Sequence, residues 1–323
     1  MFKFKSEQKT FQIGKVKIGG QPGENPTVLI GTIFYTGHKI VQDHKEGVFN
    51  KEEAKKLILK QDELSDNFGL PCMLDVVGVT DKSMIKFIDF VAEVTDTPFL
   101  IDAMTAEARI AGAKHVAEIG LSDRAVYNSI MPSPWFKPEE IDTVRDSKIR
   151  SAILLAYNTK DRTPKGVISL LKGGNGIKGL LSIAEEAHVD KPLIDTTLFT
   201  YVPSIGVGAK ASFLVKDELG LPVGGAPGNA TTVWKKEAIK NWGVDIFKAC
   251  DAAVQASSLI TGTDFLLYGV IESASWIFPA CAVVNAMIAA SSWVELGIKP
   301  KEETHPLFKL FPQFVEKLEK AAL

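Results

Sequence analysis

The sequence predicts a parallel (β/α)8 barrel of the TIM type, and three observations carry that expectation. Eight short apolar runs each precede a helical segment, the 323 residues suit that many units, and no GxGxxG follows the first run as a dinucleotide-binding sheet would want. Parallel strands joined by helical crossovers either close into a barrel or spread as a doubly wound sheet, and eight units favour closure. The expected layout is a single domain over 1–323, with an N-terminal β-hairpin over 1–25, the barrel over 26–300 and an extra C-terminal helix over 301–323.

Weak alternation at Phe11, Ile13, Val16 and Ile18 around Gly14-Lys15 predicts the hairpin, closed by Gly19-Gly20. The first barrel strand covers 28–35. After a loop carrying His38 and His44, Asn50 caps a helix to about Phe68 with apolar residues at Ala54, Leu57, Ile58 and Leu64. Strand two covers 71–78 and leads to a helix over 81–95, with Asp81 near its cap. Strand three covers 98–102, and its helix over 106–119 is stopped by Gly120. Strand four, 125–130, passes through the three prolines of MPSPWFKP to a helix over 139–146. Strand five, 151–158, precedes a polar loop and a helix reaching Ala187, interrupted by Gly173-Gly174-Asn175-Gly176. Strands six (192–196), seven (222–225) and eight (265–270) each precede further helical segments, and a last helix starts at Pro306.

Composition narrows the function. Lys plus Arg number 37 against 39 Asp plus Glu, a net charge of −2 that leaves no basic surplus for nucleic acid or anionic lipid. Cys72, Cys250 and Cys281 are odd in number and far apart, which suggests neither a disulfide framework nor a CxxC metal site and fits a reducing cytoplasm. The run from Phe265 to Trp293 imitates a membrane span, but Glu272, Pro279 and Asn285 interrupt it, and a strand followed by a buried helix explains it better. His38, His44, His115, His188 and His305 share no zinc-like spacing, so no metal is expected on this chain, and His115 and His188 read as ordinary helix positions.

The apolar runs end on polar residues. Asp75, Asp102, Asn128, Asn158 and Asp195 fall at strand C-termini, the end where such barrels build their sites. A carboxylate closing a buried strand is costly unless something requires it. Capping the following helix is an alternative role for Asp102, but Thr105 stands better placed for that. Strand six carries no lysine for imine chemistry. A ring of Asp and Asn suits a neutral heterocycle with alternating N–H donors and ring-nitrogen acceptors, and a reduced pterin fits. Gly224, Gly225 and Gly228 either allow a tight loop or let backbone approach a ligand. The GGNGIKG run at 173–179 imitates a phosphate loop but follows no strand and lacks the GK[ST] ending. Phe34, Tyr35, His38, Tyr268 and Glu272 are candidates to line the pocket or meet a partner, with plain packing the alternative.

The runs GGQPGENPTVLIGTIFYTGHKIV, FVAEVTDTPFLID, AEARIAGAKH, RAVYNSI and KPLIDT resemble the MtrH family of corrinoid-dependent methyltransferases over nearly the whole chain. That family includes methanogen tetrahydromethanopterin methyltransferase subunits and bacterial enzymes that methylate tetrahydrofolate in glycine betaine catabolism. The resemblance implies pterin contacts from Asp102, Asn128 and Asp195, with Asp75 and Asn158 as further candidates and Gly224 and Gly225 as backbone lining. In the loop GGAPGNATT it implies that Asn229 approaches pterin N5; Asp102, Asn128 and Asn229 are therefore the catalytic candidates. It also implies methyl transfer from a methyl-cobalt corrinoid (cobalamin) carried by a partner protein to N5, with no covalent enzyme intermediate. A homodimer is a family-level expectation. The loop after strand seven and the chain beyond it resemble the methanogen subunit less than the first half does, which favours tetrahydrofolate as the pterin. The alternatives are tetrahydromethanopterin within a larger complex, or a docking subunit with little activity alone. A dihydropteroate synthase-like condensation would want a basic diphosphate pocket near strands seven and eight, and GGAPGNATT has no Lys or Arg.

Overall fold

A computed structural model describes the chain except residues 133, 175, 198–201 and 322–323; for 202–207 and 321 only the backbone is described. Eight of the described strands close a parallel barrel: β1 (Val28–Ile33), β2 (Cys72–Val77), β3 (Phe99–Asp102), β4 (Ala125–Ile130), β5 (Ser151–Leu155), β6 (Lys191–Asp195), β7 (Val223–Gly225) and β8 (Phe265–Val270), with β8 pairing back onto β1. The expected (β/α)8 architecture is therefore present.

Period-two alternation sorts each strand into an inner and an outer face. Ile30, Met73, Leu100, Val126, Ile153, Leu193 and Phe265 point inward and fill the lower half of the barrel. Ile13, Val16 and Ile18 join the same cluster, so the N-terminal hairpin, whose strands Thr10–Ile13 and Val16–Gly19 pair antiparallel, is the plug of the bottom end. The outward residues, among them Leu74, Ile101, Tyr127 and Leu154, pack under the helical shell.

Capping chemistry starts the helices where the sequence places it. Asn50 accepts from Glu53 N–H (3.1 Å) at the start of α1 (Lys51–Phe68), which ends at Gly69 in the left-handed region (φ 68°). Thr80, one residue before the expected Asp81, forms a capping box with Ser83 on α2 (Asp81–Val94). Thr105 caps α3 (Ala106–Glu118), leaving Asp102 free of that duty. The next helices are α4 (Pro138–Asp146), α5 (Pro164–Lys172), α6 (Leu180–Glu186) and α7 (Val202–Leu219). The glycine-rich interruption between α5 and α6 is a small hairpin pairing Gly173 with Lys178, and Asn175 lies outside the described residues.

Two strands end well before the expected residue, and two helical regions are divided. β1 ends at Ile33 because Phe34 takes φ 63° and turns its N–H toward His38. β5 ends at Leu155, since Asn158 folds back on its own loop. After β7 come three helices, α8 (Gly228–Thr232), α9 (Lys235–Trp242) and α10 (Val244–Ser258). The apolar stretch after β8 is α11 (Ala274–Leu296), long and apolar enough to cross a membrane but packed on α10 and α1 with over half of its most apolar window buried. The C-terminal helix is two, α12 (Pro306–Leu310) and α13 (Pro312–Ala321), because Pro312 cannot continue a helix through Phe311.

Candidate functional site

One inward step above the apolar layer, five of the eight barrel strands place a polar residue: Thr32 follows Ile30, Asp75 follows Met73, Asp102 follows Leu100, Asn128 follows Val126 and Asp195 follows Leu193. The upper half of the barrel interior is therefore polar, at the C-terminal ends of the strands. Strand pairing sets Thr32 beside Asp75 and Asp102 beside Asn128. Asp75 is the hub, its Oδ2 accepting from Thr32 Oγ1 (2.9 Å) and its Oδ1 from Asn128 Nδ2 (3.2 Å).

Burial makes these carboxyls weak acids. Asp75 is pushed up to about 6 by desolvation, against the two hydrogen bonds that favour its charge. Desolvation, then the neighbouring Asp75, holds Asp102 well above the ordinary 3.8, opposed by Arg109. Asp195, whose Oδ1 accepts from Thr197 N–H (2.7 Å), is raised by burial to about 6. The ring thus combines carboxylate acceptors with the Thr32 hydroxyl and the Asn128 amide, so it presents both donors and acceptors.

Arg109 stands behind Asp102. Buried, it donates to Ala103 O and pairs through Nε with Glu140 (2.9 Å), which also accepts from Tyr127 Oη. The peptide after Asp102 is thereby tied to α3 and α4.

The other expected residues divide. Asn158 does not join the ring. Its Oδ1 accepts from Lys160 and Asp161 N–H (both 3.0 Å) and its Nδ2 donates to Gly166 O (3.0 Å), so it organises the loop before α5. Gly224 sits level with Asp195, and a Cβ there would lie 2.2 Å from Phe265 O, so close packing on β8 requires a glycine. Gly225 is buried at the end of β7. Asn229 is exposed on α8, outside the hydrogen-bonded ring but on the segment that leaves the C-terminal end of β7, and so at the open end of the barrel. Tyr268 faces outward, bonding Gln61 of α1 between barrel and shell, and does not line the pocket.

Comparison with known proteins settles the family. Residues 6–301 match the family described as tetrahydromethanopterin S-methyltransferase MtrH subunit. The chain belongs to the MtrH family. It is 41% identical over 318 residues to the H subunit of tetrahydromethanopterin S-methyltransferase from Methanothermobacter thermautotrophicus, covering 96% of this chain and 100% of that one. The corresponding protein of Methanopyrus kandleri, of the same name, is 40% identical over 313 residues, covering 93% and 96%. Among solved structures, a Yersinia pestis dihydropteroate synthase covers 86% of this chain and 99% of its own at TM-score 0.59 and 12% identity, a likeness of fold.

In this MtrH-family chain the mouth above the ring carries a second cluster. His38 accepts the Phe34 N–H on Nδ1 (3.1 Å), so Nε2 carries the proton and donates to Glu272 Oε1 (3.1 Å). Tyr35 stacks on His38 with centroids 4.4 Å apart. Burial raises the Glu272 carboxyl, but hydrogen bonds, first that from His38, outweigh it and leave the group below its usual value, hence charged. The strand-end pattern does not single out Thr32 or the Arg109–Glu140–Tyr127 network. Thr32 is within its reach, two residues beyond the inward Ile30.

Proposed function

We propose that this chain catalyses methyl transfer between a corrinoid carried by a partner protein and N5 of a tetrahydropterin, with tetrahydromethanopterin as the pterin. Family membership supports the methyltransferase class. The names of the relatives at about 40% identity favour tetrahydromethanopterin over the tetrahydrofolate that the second half of the sequence suggests. The observation that carries the site assignment is the hydrogen-bonded row Thr32, Asp75 and Asn128 beside Asp102 at the open end of the barrel.

The corrinoid supplies a methyl group on cobalt that leaves as a cation, the bonding pair staying on the metal. This chain's residues hold the acceptor. Asp75, Asp102 and Asp195 accept from the pterin's amino and ring N–H groups, while the Asn128 amide donates to ring nitrogen or carbonyl oxygen. The N5 lone pair takes the methyl cation, N5 then releases its proton to water, and Asn229 is the group that approaches N5 and eases that change of charge by hydrogen bonding. Fixing two large reactants in line is the main catalytic contribution. Met104 and Trp135, exposed on the loops after β3 and β4, give the mouth an apolar border for a protein partner. A homodimer and a cytoplasmic location belong to the same reading, and membership of a larger complex follows the naming of the relatives as subunits.

Purified protein mixed with methylcobalamin and either tetrahydromethanopterin or tetrahydrofolate should form cobalt(I) and N5-methylpterin, faster with the former. No transfer with either pterin overturns the enzyme reading in favour of a docking subunit; faster turnover with tetrahydrofolate reverses the choice of pterin.

A further inference from the structure

We propose that Asp251 is a positioning residue that fixes the α8 segment so that Asn229 meets the pterin; this rests on the reading of Asn229 given above. Asp251 is a buried carboxylate on α10, away from the polar ring, and it collects donors from three directions. Its Oδ1 accepts from Thr231 Oγ1 of α8 (2.6 Å) and from Gln255 Nε2 one turn along α10 (3.2 Å), and its Oδ2 accepts from Trp276 Nε1 of α11 (2.8 Å). Thr231, Asp251 and Gln255 are all buried. Three donors converging on one group call for a side chain that only accepts, which a carboxylate provides.

The segment is held from the other side as well. A Cβ on Gly228 would lie 2.6 Å from Tyr268 O, so its backbone is pressed onto β8, and Gly228 O accepts from Thr232 Oγ1 (2.8 Å). Gln255 donates onward to Tyr268 O (2.9 Å), linking Asp251 to the same strand. Asn229 lies between these anchors. Its N–H bonds Ala226 O (3.0 Å) and its side chain is exposed. An exposed side chain takes its place from the backbone that carries it, and Asp251 is what holds that backbone's neighbour.

The test is a double-mutant cycle read by methylcobalamin:tetrahydromethanopterin kinetics and by amide exchange over residues 226–232. Asn229→Ala should lower kcat by about 100-fold, the scale of a lost transition-state hydrogen bond. Asp251→Ala should lower kcat by about tenfold in the wild-type background, speed exchange across 226–232, and cost nothing more once Asn229 is gone, because residues that act as a unit are not additive. Thr231→Val, which removes only the hydroxyl, should reproduce that loss if Asp251→Ala fails to fold. Full additivity of Asp251→Ala and Asn229→Ala, or unchanged exchange over 226–232, overturns the proposal alone. A silent Asn229→Ala overturns the assignment of Asn229 and the proposal with it.

Discussion

Replacing Asp75 by asparagine should stabilise the free protein and weaken its ligand binding at once. Asp75 is 3% exposed and raised from the ordinary 3.8 to about 6 by burial. Its folded value lies above its unfolded one, so the stability it contributes is fully present below pH 3.8 and is lost as pH rises through about 6. At about 1.4 kcal/mol per pH unit that gap is worth about 3 kcal/mol, of which about 2 kcal/mol is lost between roughly pH 4.5 and 8. The variant has no charge to desolvate there. Its amide oxygen can keep the Thr32 bond, and Asn128 can turn its own oxygen toward the new NH2 group. Relief of Asp102, which Asp75 also raises, acts in the same direction.

Denaturant unfolding of both proteins across that pH range measures the effect. The stability difference should grow by about 2 kcal/mol in favour of Asp75→Asn as pH rises. Pterin affinity should fall by about 10- to 100-fold, the value of one charge-assisted hydrogen bond. A stability difference that stays flat with pH refutes the buried-carboxylate argument, and unchanged affinity refutes the placement of Asp75 at the ligand.

Lys216→Met removes the cation whose Nζ bonds both Asp264 oxygens (2.6 and 2.7 Å) and Gly20 O (2.8 Å) at the bottom of the barrel. The stranded Asp264 should cost about 3–5 kcal/mol, measured by chemical unfolding, with Lys216→Met/Asp264→Asn recovering part of it. Asn158→Ala should cost about 1 kcal/mol by freeing the loop before α5 while leaving the pterin KM unchanged; a raised KM would return Asn158 to the site. Gly224→Ala should lower stability by about 1–3 kcal/mol through its clash with Phe265, which a thermal melt would detect.

Much of the fold is legible because strand and helix alternate with local signals that agree. The apolar run ending at Asp102, the Thr105 cap and the hairpin glycines each state their element within a few residues. The site is legible to the extent that period two is followed: Asp75, Asp102, Asn128 and Asp195 all sit two residues beyond an inward apolar side chain, and Thr32 does too. Tyr268 lies three residues beyond inward Phe265, so parity alone sends it to the shell. Asn158 misleads because an Asn after a strand serves a local turn as readily as a ligand. The need for glycine at 224 comes from Phe265, about forty residues away in the chain, and no local pattern encodes that contact. Asp251 is invisible for the same reason, since two of its three donors lie outside its helix.

The charge beside the ends of β7 and β8 bears on the condensation that the sequence offers as an alternative. A condensation that expels diphosphate needs cations where the phosphates sit. Here the GGAPGNATT segment after β7 carries no Lys or Arg, and the turn after β8 presents Glu272, kept ionised by His38. The charge that Asp75 and Asp195 carry near neutrality adds to the repulsion of any anion entering the barrel. A neutral, donor-rich ring meets the opposite situation: it adds donors to carboxyls that burial penalises, so binding recovers free energy that folding gave up. An active site that is costly when empty favours its ligand by that amount.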